Sequence, residues 1–332
     1  MTRILTRAGA AGAAAAMGLM LFGCTTTASD ADAGNTSEPG ALTPLKVLVA
    51  PINNEPVYYA IDNGIFEEHG LEVEAIPGGA LPAQVVPQII SGEVDISMIG
   101  GATLVAAVAE GLPVRGVFPN SGAFPQAEPS NGFFVAADSP YEGYGDLDGT
   151  TLAMPGLNEV PHLATMLAIQ ANGGDPSTVN FLEMPLPNIN EAVGNGQIDG
   201  AVNVGSFYSA ALDAGFRSFG SPSNDYLDGT PTTQFFTTTD WIAENEDTLE
   251  RFTAALTETN EYLNTDSEAI RDIQRQYTEL PEEVIATALL QTYWTSYSAE
   301  GLQRLIDAMA EFDFISTVPT LDELLWSGAP IE

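Results

Sequence analysis

Short runs of consecutive apolar residues alternate along the chain with longer segments in which apolar side chains recur every three or four positions. Lys46-Val-Leu-Val-Ala50, Val94 to Ile99, Val114 to Phe118, Thr150-Thr-Leu-Ala-Met154 and Ile198 to Val204 are runs of the first kind and predict buried strands. Helices are predicted between them. Pro51 and Pro155 end the first strand of each set, Asn54 and Asn158 stand as N-caps, and Glu55 and Glu159, each close to a proline, fall in a first helical turn. These helices close near Gly64 and Gly173, a second pair ends at Gly92 and Gly196, and Gly101 and Gly205 turn the chain into a third. Strand-helix-strand-helix order predicts parallel strands with helices on their faces.

The same punctuation occurs twice. When the chain slides along itself by 104 positions, thirteen of the residues between 46 and 112 meet an identical partner, among them Leu48/Leu152, Pro51/Pro155, Asn54/Asn158, Glu55/Glu159, Gly92/Gly196, Asp95/Asp199 and Gly101/Gly205. Ordinary residue usage would give roughly five. Two α/β halves follow, and the stretch from residue 45 to 332 is longer than one core usually organises. Residues 241 to 312 predict amphipathic helices, with Leu249, Phe252, Leu256 and Leu263 on one face and with Pro281 and Ser298 as helix starts. These should pack on the first half, their Tyr293 and Trp294 serving the core or surface rather than a ligand.

The N-terminus has a different pattern. Arg3 and Arg7 precede an apolar, Ala-rich stretch from Ala8 to Phe22, which ends in Leu21-Phe22-Gly23-Cys24. This is the layout of a secretory signal, and the run is short for a membrane span, which needs about 20 residues. Cys24 is the single cysteine, so no intramolecular disulfide forms. The four residues resemble a lipobox, which implies lipidation at Cys24 and an exported chain anchored in the bilayer on the extracytoplasmic face. Residues 25 to 44 carry almost no large apolar side chain and predict a disordered tether.

Charge excludes one class of partner. Nine basic residues face 45 acidic ones, a net charge of −36, and nucleic-acid binding needs a basic footprint. With 45% hydrophobic residues general disorder is excluded as well. No P-loop, dinucleotide glycine motif or Gly-x-Ser-x-Gly appears, and two distant histidines specify no zinc site. No cofactor, metal or catalytic residue is expected, and the chain is read as a monomer.

Four segments carry a resemblance. Glu55 to Glu74 (EPVYYAIDNGIFEEHGLEVE), Ser91-Gly-Glu-Val-Asp-Ile-Ser97 with Gly100-Gly101, Gly145-Asp-Leu-Asp-Gly-Thr-Thr-Leu-Ala-Met154 and Gly196-Gln-Ile-Asp-Gly-Ala201 resemble, in order and spacing, the ABC-transporter substrate-binding proteins for nitrate, alkanesulfonates, taurine and thiamine pyrimidine precursors. The resemblance runs from about Leu45 to the C-terminus. It implies an α/β type II periplasmic-binding-protein fold of two α/β lobes joined by a two-crossing hinge. Lobe one takes residues 45–136 and 232–332 and lobe two residues 137–231, with crossings near Phe133 to Ala137 and Thr232 to Thr239. It also implies a small-molecule solute, an ABC permease and its ATPase as partners.

In such sheets a ligand sits beyond the carboxyl ends of the strands, at helix N-termini. The candidate turns bring Asn53, Asn54, Glu55, Tyr58, Gly101 and Thr103 from one lobe and Asn158, Glu159, His162, Asn203 and Phe207 from the other. Asn120 and Ser121 open a Pro-rich loop nearby. No Lys or Arg occurs in these turns, and Glu55 and Glu159 stand where an anion would bind. This set suits a neutral or cationic ring such as an aminopyrimidine better than nitrate or a sulfonate, although backbone amides with Thr103 or Ser206 could hold an anion. His69 reads as a helix C-terminal residue favoured by the dipole. The rival class is an enzyme, because a branch of this fold resembles pyrimidine-precursor synthases that bind pyridoxal phosphate through a lysine. The one lysine beyond the signal, Lys46, begins a strand at the wrong end for that chemistry.

Overall fold

The computed structural model describes residues 41–50, 53–78, 82–124 and 129–332. The signal segment, Cys24, most of the expected tether and Pro51 lie outside these residues. The first sheet begins with β1 (Thr43–Val49), so Thr43 and Pro44 belong to a strand and not to the tether. There follow α1 (Glu55–Asp62), α2 (Ile65–Glu68), β2 (Leu71–Pro77), α3 (Pro82–Ile90), β3 (Ile96–Ile99), α4 (Gly101–Ala109) and β4 (Val114–Gly122). The chain then enters the second sheet through β5 (Asn131–Val135). It continues with β6 (Thr151–Met154), α5 (Val160–Ala171), β7 (Asn180–Glu183), α6 (Leu186–Gly194), β8 (Gly200–Val204), α7 (Gly205–Asp213), β9 (Arg217–Gly220) and α8 (Pro222–Tyr226). It returns to the first sheet in β10 (Pro231–Thr238) and ends in α9 (Thr239–Leu263), α10 (Ser267–Tyr277), α11 (Glu282–Thr287), α12 (Ala299–Glu311) and α13 (Leu321–Leu324).

The sheets have the orders β2-β1-β3-β10-β4 and β7-β6-β8-β5-β9. Neither is wholly parallel. β10 runs antiparallel to β3 and β4, and β5 runs antiparallel to β8 and β9. These are the strands by which the chain changes sheet, and each enters its new sheet from the end opposite to its neighbours. The extended stretches expected as crossings therefore lie largely within the sheets, in β5 and β10, and the chain passes between the sheets ahead of them.

The internal repeat has a structural counterpart. Lys46 N–H donates to Asp95 Oδ2 at 2.7 Å, and Asp95 N–H donates back to the Lys46 carbonyl at 3.0 Å. In the second half Thr151 N–H donates to Asp199 Oδ2 at 2.8 Å and Asp199 N–H to the Thr151 carbonyl at 2.8 Å. Each aspartate stands just before the third strand and ties it to the first, at the middle of β1 through Lys46 and at the first residue of β6 through Thr151. The aspartates are 104 residues apart but their partners are 105 apart, so the ungapped alignment is one residue out of step over the first strand and turn.

One buried cluster fills the first half, from Val47 and Leu104 through Phe118 and Phe235 to Leu256 and Leu302. Two clusters cover the faces of the second sheet, around Leu152 and Phe133 on one side and around Phe134 and Tyr208 on the other. Alternation along β5 sends Phe133 and Phe134 to opposite faces. Helix α5 belongs to both halves: Val160, Leu163 and Ala164 join the first cluster, while Ala168 and Ile169 join the second. It packs on α12, where Gln170 Nε2 donates to Glu311 Oε1 at 2.9 Å, and so joins the halves beside the cleft described next.

Candidate ligand-binding cleft

A cleft of about 680 Å³ lies between the carboxyl ends of the two sets of parallel strands. Asn53 to Glu55, Gly100, Thr232 and Thr233 border it from the first half, and residues 288–291 close one side. Pro155 to Leu157 and Glu159 to Pro161, together with Glu183 and Val204 to Phe207, border it from the second, while Asn158 does not. Of the residues singled out by sequence, Asn53, Asn54, Glu55, Glu159, Ser206 and Phe207 line this space.

The turns after β1 and β6 share a device. Asn53 and Asn158 have φ values of 57° and 62°, in the left-handed region that asparagine tolerates better than most residues. The helix begins two residues later in each case, with proline as its second residue. Asn158 is thus not an N-cap. That place belongs to Glu159, which stands one position before the first helical turn expected for it. Asn54 is the N-cap of α1, yet its side chain makes no cap bond and donates instead to the Ala50 carbonyl at 2.8 Å.

Asn120 and Ser121 support the wall from behind. They are the last residues but one of β4 rather than the opening of a loop, and both are fully buried. Asn120 Nδ2 donates to the Asn53 carbonyl at 2.8 Å, and Ser121 Oγ receives a bond from Asn53 Nδ2 at 3.3 Å. Both hydroxyl and amide also engage Thr233, so they fix Asn53 and β10 together.

Glu55 is buried at the start of α1, and both oxygens are engaged. Gln274 Nε2 donates to Oε1 at 2.8 Å and the Tyr293 hydroxyl to Oε2 at 2.8 Å. Burial, with the adjacent Glu55 carboxylate, pushes the Tyr293 phenol well above its usual range. Tyr293 and Gln274 border the cleft as well, although Tyr293 is buried in a core cluster with Leu263 and Ile270, as expected from sequence. Trp294 does remain in the wall, its ring against Gly122.

Glu159 reaches across the cleft. The Thr103 hydroxyl on α4 donates to its Oε1, and its carboxyl lies against Gly100. Burial raises its pKa to about 7, and the Thr103 bond acts in the opposite sense. Thr103 and Gly101 do not themselves border the space. At Gly101 a Cβ would stand 2.0 Å from the Pro231 carbonyl oxygen, so the start of α4 is pressed against the start of β10.

The remaining candidates point elsewhere. Tyr58 stacks on Tyr277 at 4.0 Å. His162 is held between Phe181 and Phe314, with ring centroids at 4.4 and 5.4 Å. Its Nδ1 accepts the Asn158 N–H at 3.0 Å while Nε2 is buried without a partner, and burial lowers its pKa to about 4. Asn203 is fully buried: Nδ2 donates to the Leu186 carbonyl and Asn190, and Oδ1 accepts the Val204 N–H. It fixes two lining residues without facing the cleft. His69 caps α2 and meets Glu258 at 3.1 Å.

Four glutamates, Glu55, Glu159, Glu183 and Glu279, are among the described lining residues, with no lysine, arginine or histidine. Arg271 donates to the carbonyls of Ile285 and Ala288 and so holds the segment that leads into the 288–291 wall. Sequence reading did not single out Gln274, Glu183, Glu279 or Thr233, and it gave Tyr293 to the core or surface. Gln274 and Tyr293 reach Glu55 across 219 and 238 residues of chain, and no local pattern marks them.

Comparison with known proteins agrees with this geometry. The chain is 29% identical over 209 residues to a Brachyspira hyodysenteriae protein named as an ABC transporter periplasmic binding protein, covering 59% of each chain. It is 29% identical over 149 residues to the formylaminopyrimidine-binding protein of Halalkalibacterium halodurans, covering 44% of this chain and 42% of that one. The matches thus span about half the length of these curated relatives. The fold is that of the periplasmic aliphatic sulphonate binding protein of Escherichia coli, with a TM-score of 0.70 at 17% identity over 88% of this chain and 94% of the other. It is an α/β fold of two mixed sheets in the type II periplasmic-binding arrangement. A profile described as NMT1/THI5 like matches residues 52–269, and the chain belongs to that family.

Proposed function

We propose that this protein is an extracytoplasmic solute-binding protein, anchored through Cys24, that captures a small neutral or cationic heteroaromatic solute of pyrimidine type and delivers it to an ABC permease driven by its ATPase. The acidic lining of the cleft carries the reading. Among the described residues four carboxyl groups and no cation border a space large enough for a ring, and a bound anion would meet repulsion with no compensating charge from them. Phe207 and Leu290 offer apolar contact for a ring. The likeness to a formylaminopyrimidine-binding protein supports the same class of solute. Nitrate and alkanesulfonates are less well served, because the Thr103 hydroxyl is already committed to Glu159, which leaves Ser206 and backbone amides to hold an anion.

Binding is favoured over Schiff-base chemistry by the position of Lys46. It does not begin the strand, as expected from sequence, but is the fourth of the seven residues of β1, whereas Ala50, just past that strand's end, borders the cleft. Four residues of strand separate them, about 13 Å. A thermal-shift screen of the chain from residue 25, with aminopyrimidines, taurine and nitrate, tests the proposal. A solute at 100 times its dissociation constant adds about 2.7 kcal/mol, and stabilisation by taurine or nitrate with none by an aminopyrimidine would refute the solute class.

A further inference from the structure

Glu159 does not serve the helix it precedes. It is the N-cap of α5, yet its side chain makes no cap bond there. The carboxyl instead crosses to the first half, where the Thr103 hydroxyl donates to it. Gly100 makes this approach possible: a Cβ at that position would lie 2.4 Å from Glu159 Oε2 and 2.9 Å from Cδ. The backbone of Gly100, at φ −69° and ψ 151°, is open to any residue, so glycine is required there for space and not for conformation. Gly100 is also the N-cap of α4, a helix of nine residues. The free N–H groups and dipole of such an end attract anions, and the chain has placed one of its own carboxyl groups beside it.

We propose that Glu159 is both a latch and a specificity-determining residue: through Thr103 it holds the two halves together, and at the end of α4 it excludes anionic solutes while accepting hydrogen bonds from a solute amino group. This rests on the reading of the cleft as the solute site. Glu159 is the one described lining carboxyl with a bond between α4 and the turn before α5, the two walls that face each other. Glu55, by contrast, is bound by Gln274 and Tyr293, which belong to the same half as α1.

The test compares the wild-type chain with Glu159→Ala and Thr103→Val. X-ray scattering without solute reports the radius of gyration, and calorimetric titration reports binding of an aminopyrimidine, taurine and sulfate. Both variants should show a larger radius than wild type. Glu159→Ala should lose at least tenfold in aminopyrimidine affinity and bind taurine or sulfate, whereas Thr103→Val should still reject both anions because the carboxyl remains. A wild-type radius in both variants overturns the latch, and continued rejection of both anions by Glu159→Ala overturns the selectivity. Glu159→Gln, which keeps the length of the side chain, gives the same selectivity reading if the alanine variant fails to fold. If wild type itself binds taurine and no aminopyrimidine, the proposed solute class fails, and the scattering comparison still decides the latch.

Discussion

The Tyr293 hydroxyl donates to Glu55 Oε2 at 2.8 Å, joining the first residue of α1 to a loop that follows α11. Glu55 is 8% exposed and Tyr293 2%, so the bond is made largely out of water. A charged acceptor in such a place depends on its donors, and bonds to charged groups contribute about 1.5–3 kcal/mol.

Tyr293→Phe should therefore lower the unfolding free energy by about 1.5–3 kcal/mol. Urea denaturation measures it, as a lower midpoint at an unchanged slope. Solute affinity should fall too, because Glu55 would keep only Gln274 as its partner.

Stability should depend on pH through two groups of opposite sign. Glu159 has its pKa raised from 4.5 to about 7, so its contribution is fully present below pH 4.5 and is lost as the pH rises towards 7. His162 has its pKa lowered from 6.5 to about 4, so its contribution is present above pH 6.5 and is lost as the pH falls towards 4. Melting temperatures across this range should show Glu159→Gln without the alkaline loss and His162→Leu without the acid loss. Profiles parallel to wild type in both variants would contradict the assignment.

Gly122→Ala should destabilise the wall of the cleft. A Cβ there would stand 2.1 Å from the Trp294 ring, and this large, half-buried ring must be displaced to make room. Overpacking of this kind costs about 1–3 kcal/mol. Trp294 fluorescence would report the displacement and denaturation the cost.

Leu163→Ala should cost about 2–5 kcal/mol, the range for emptying a buried leucine site. Leu163 is fully buried in the cluster of the first half although its helix follows a strand of the second. The loss should appear as a lower denaturation midpoint, with looser association of the halves visible as a larger radius of gyration without solute.

Much of the architecture was legible in local pattern. Apolar runs, prolines and glycines marked strands and helix starts, and Pro281 and Ser298 do cap α11 and α12. The repeated Asp95 and Asp199 marked a real equivalence, although the alignment of 104 slipped by one over the first turn. That slip made Asn158 an N-cap when its backbone is left-handed, and it paired Glu159 with Glu55 when the structure pairs it with Asn54. A one-residue error changes which way a side chain leaves a turn, and periodicity cannot detect it where the element is only a turn long.

The sequence by itself determined the alternation of strands and helices, the doubling of the unit, the scarcity of basic residues and the acidic character of the turns. These depend on residues close together in the chain, where burial and backbone preference act locally. Only the tertiary structure decided that β5 and β10 run antiparallel, that Gln274 and Tyr293 hold Glu55, that His162 and Tyr58 turn away from the cleft, and that Glu159 crosses to Thr103. Each of those depends on contacts between segments far apart in sequence, whose relative placement is set by packing of the two cores and carries no signature in any single stretch of chain.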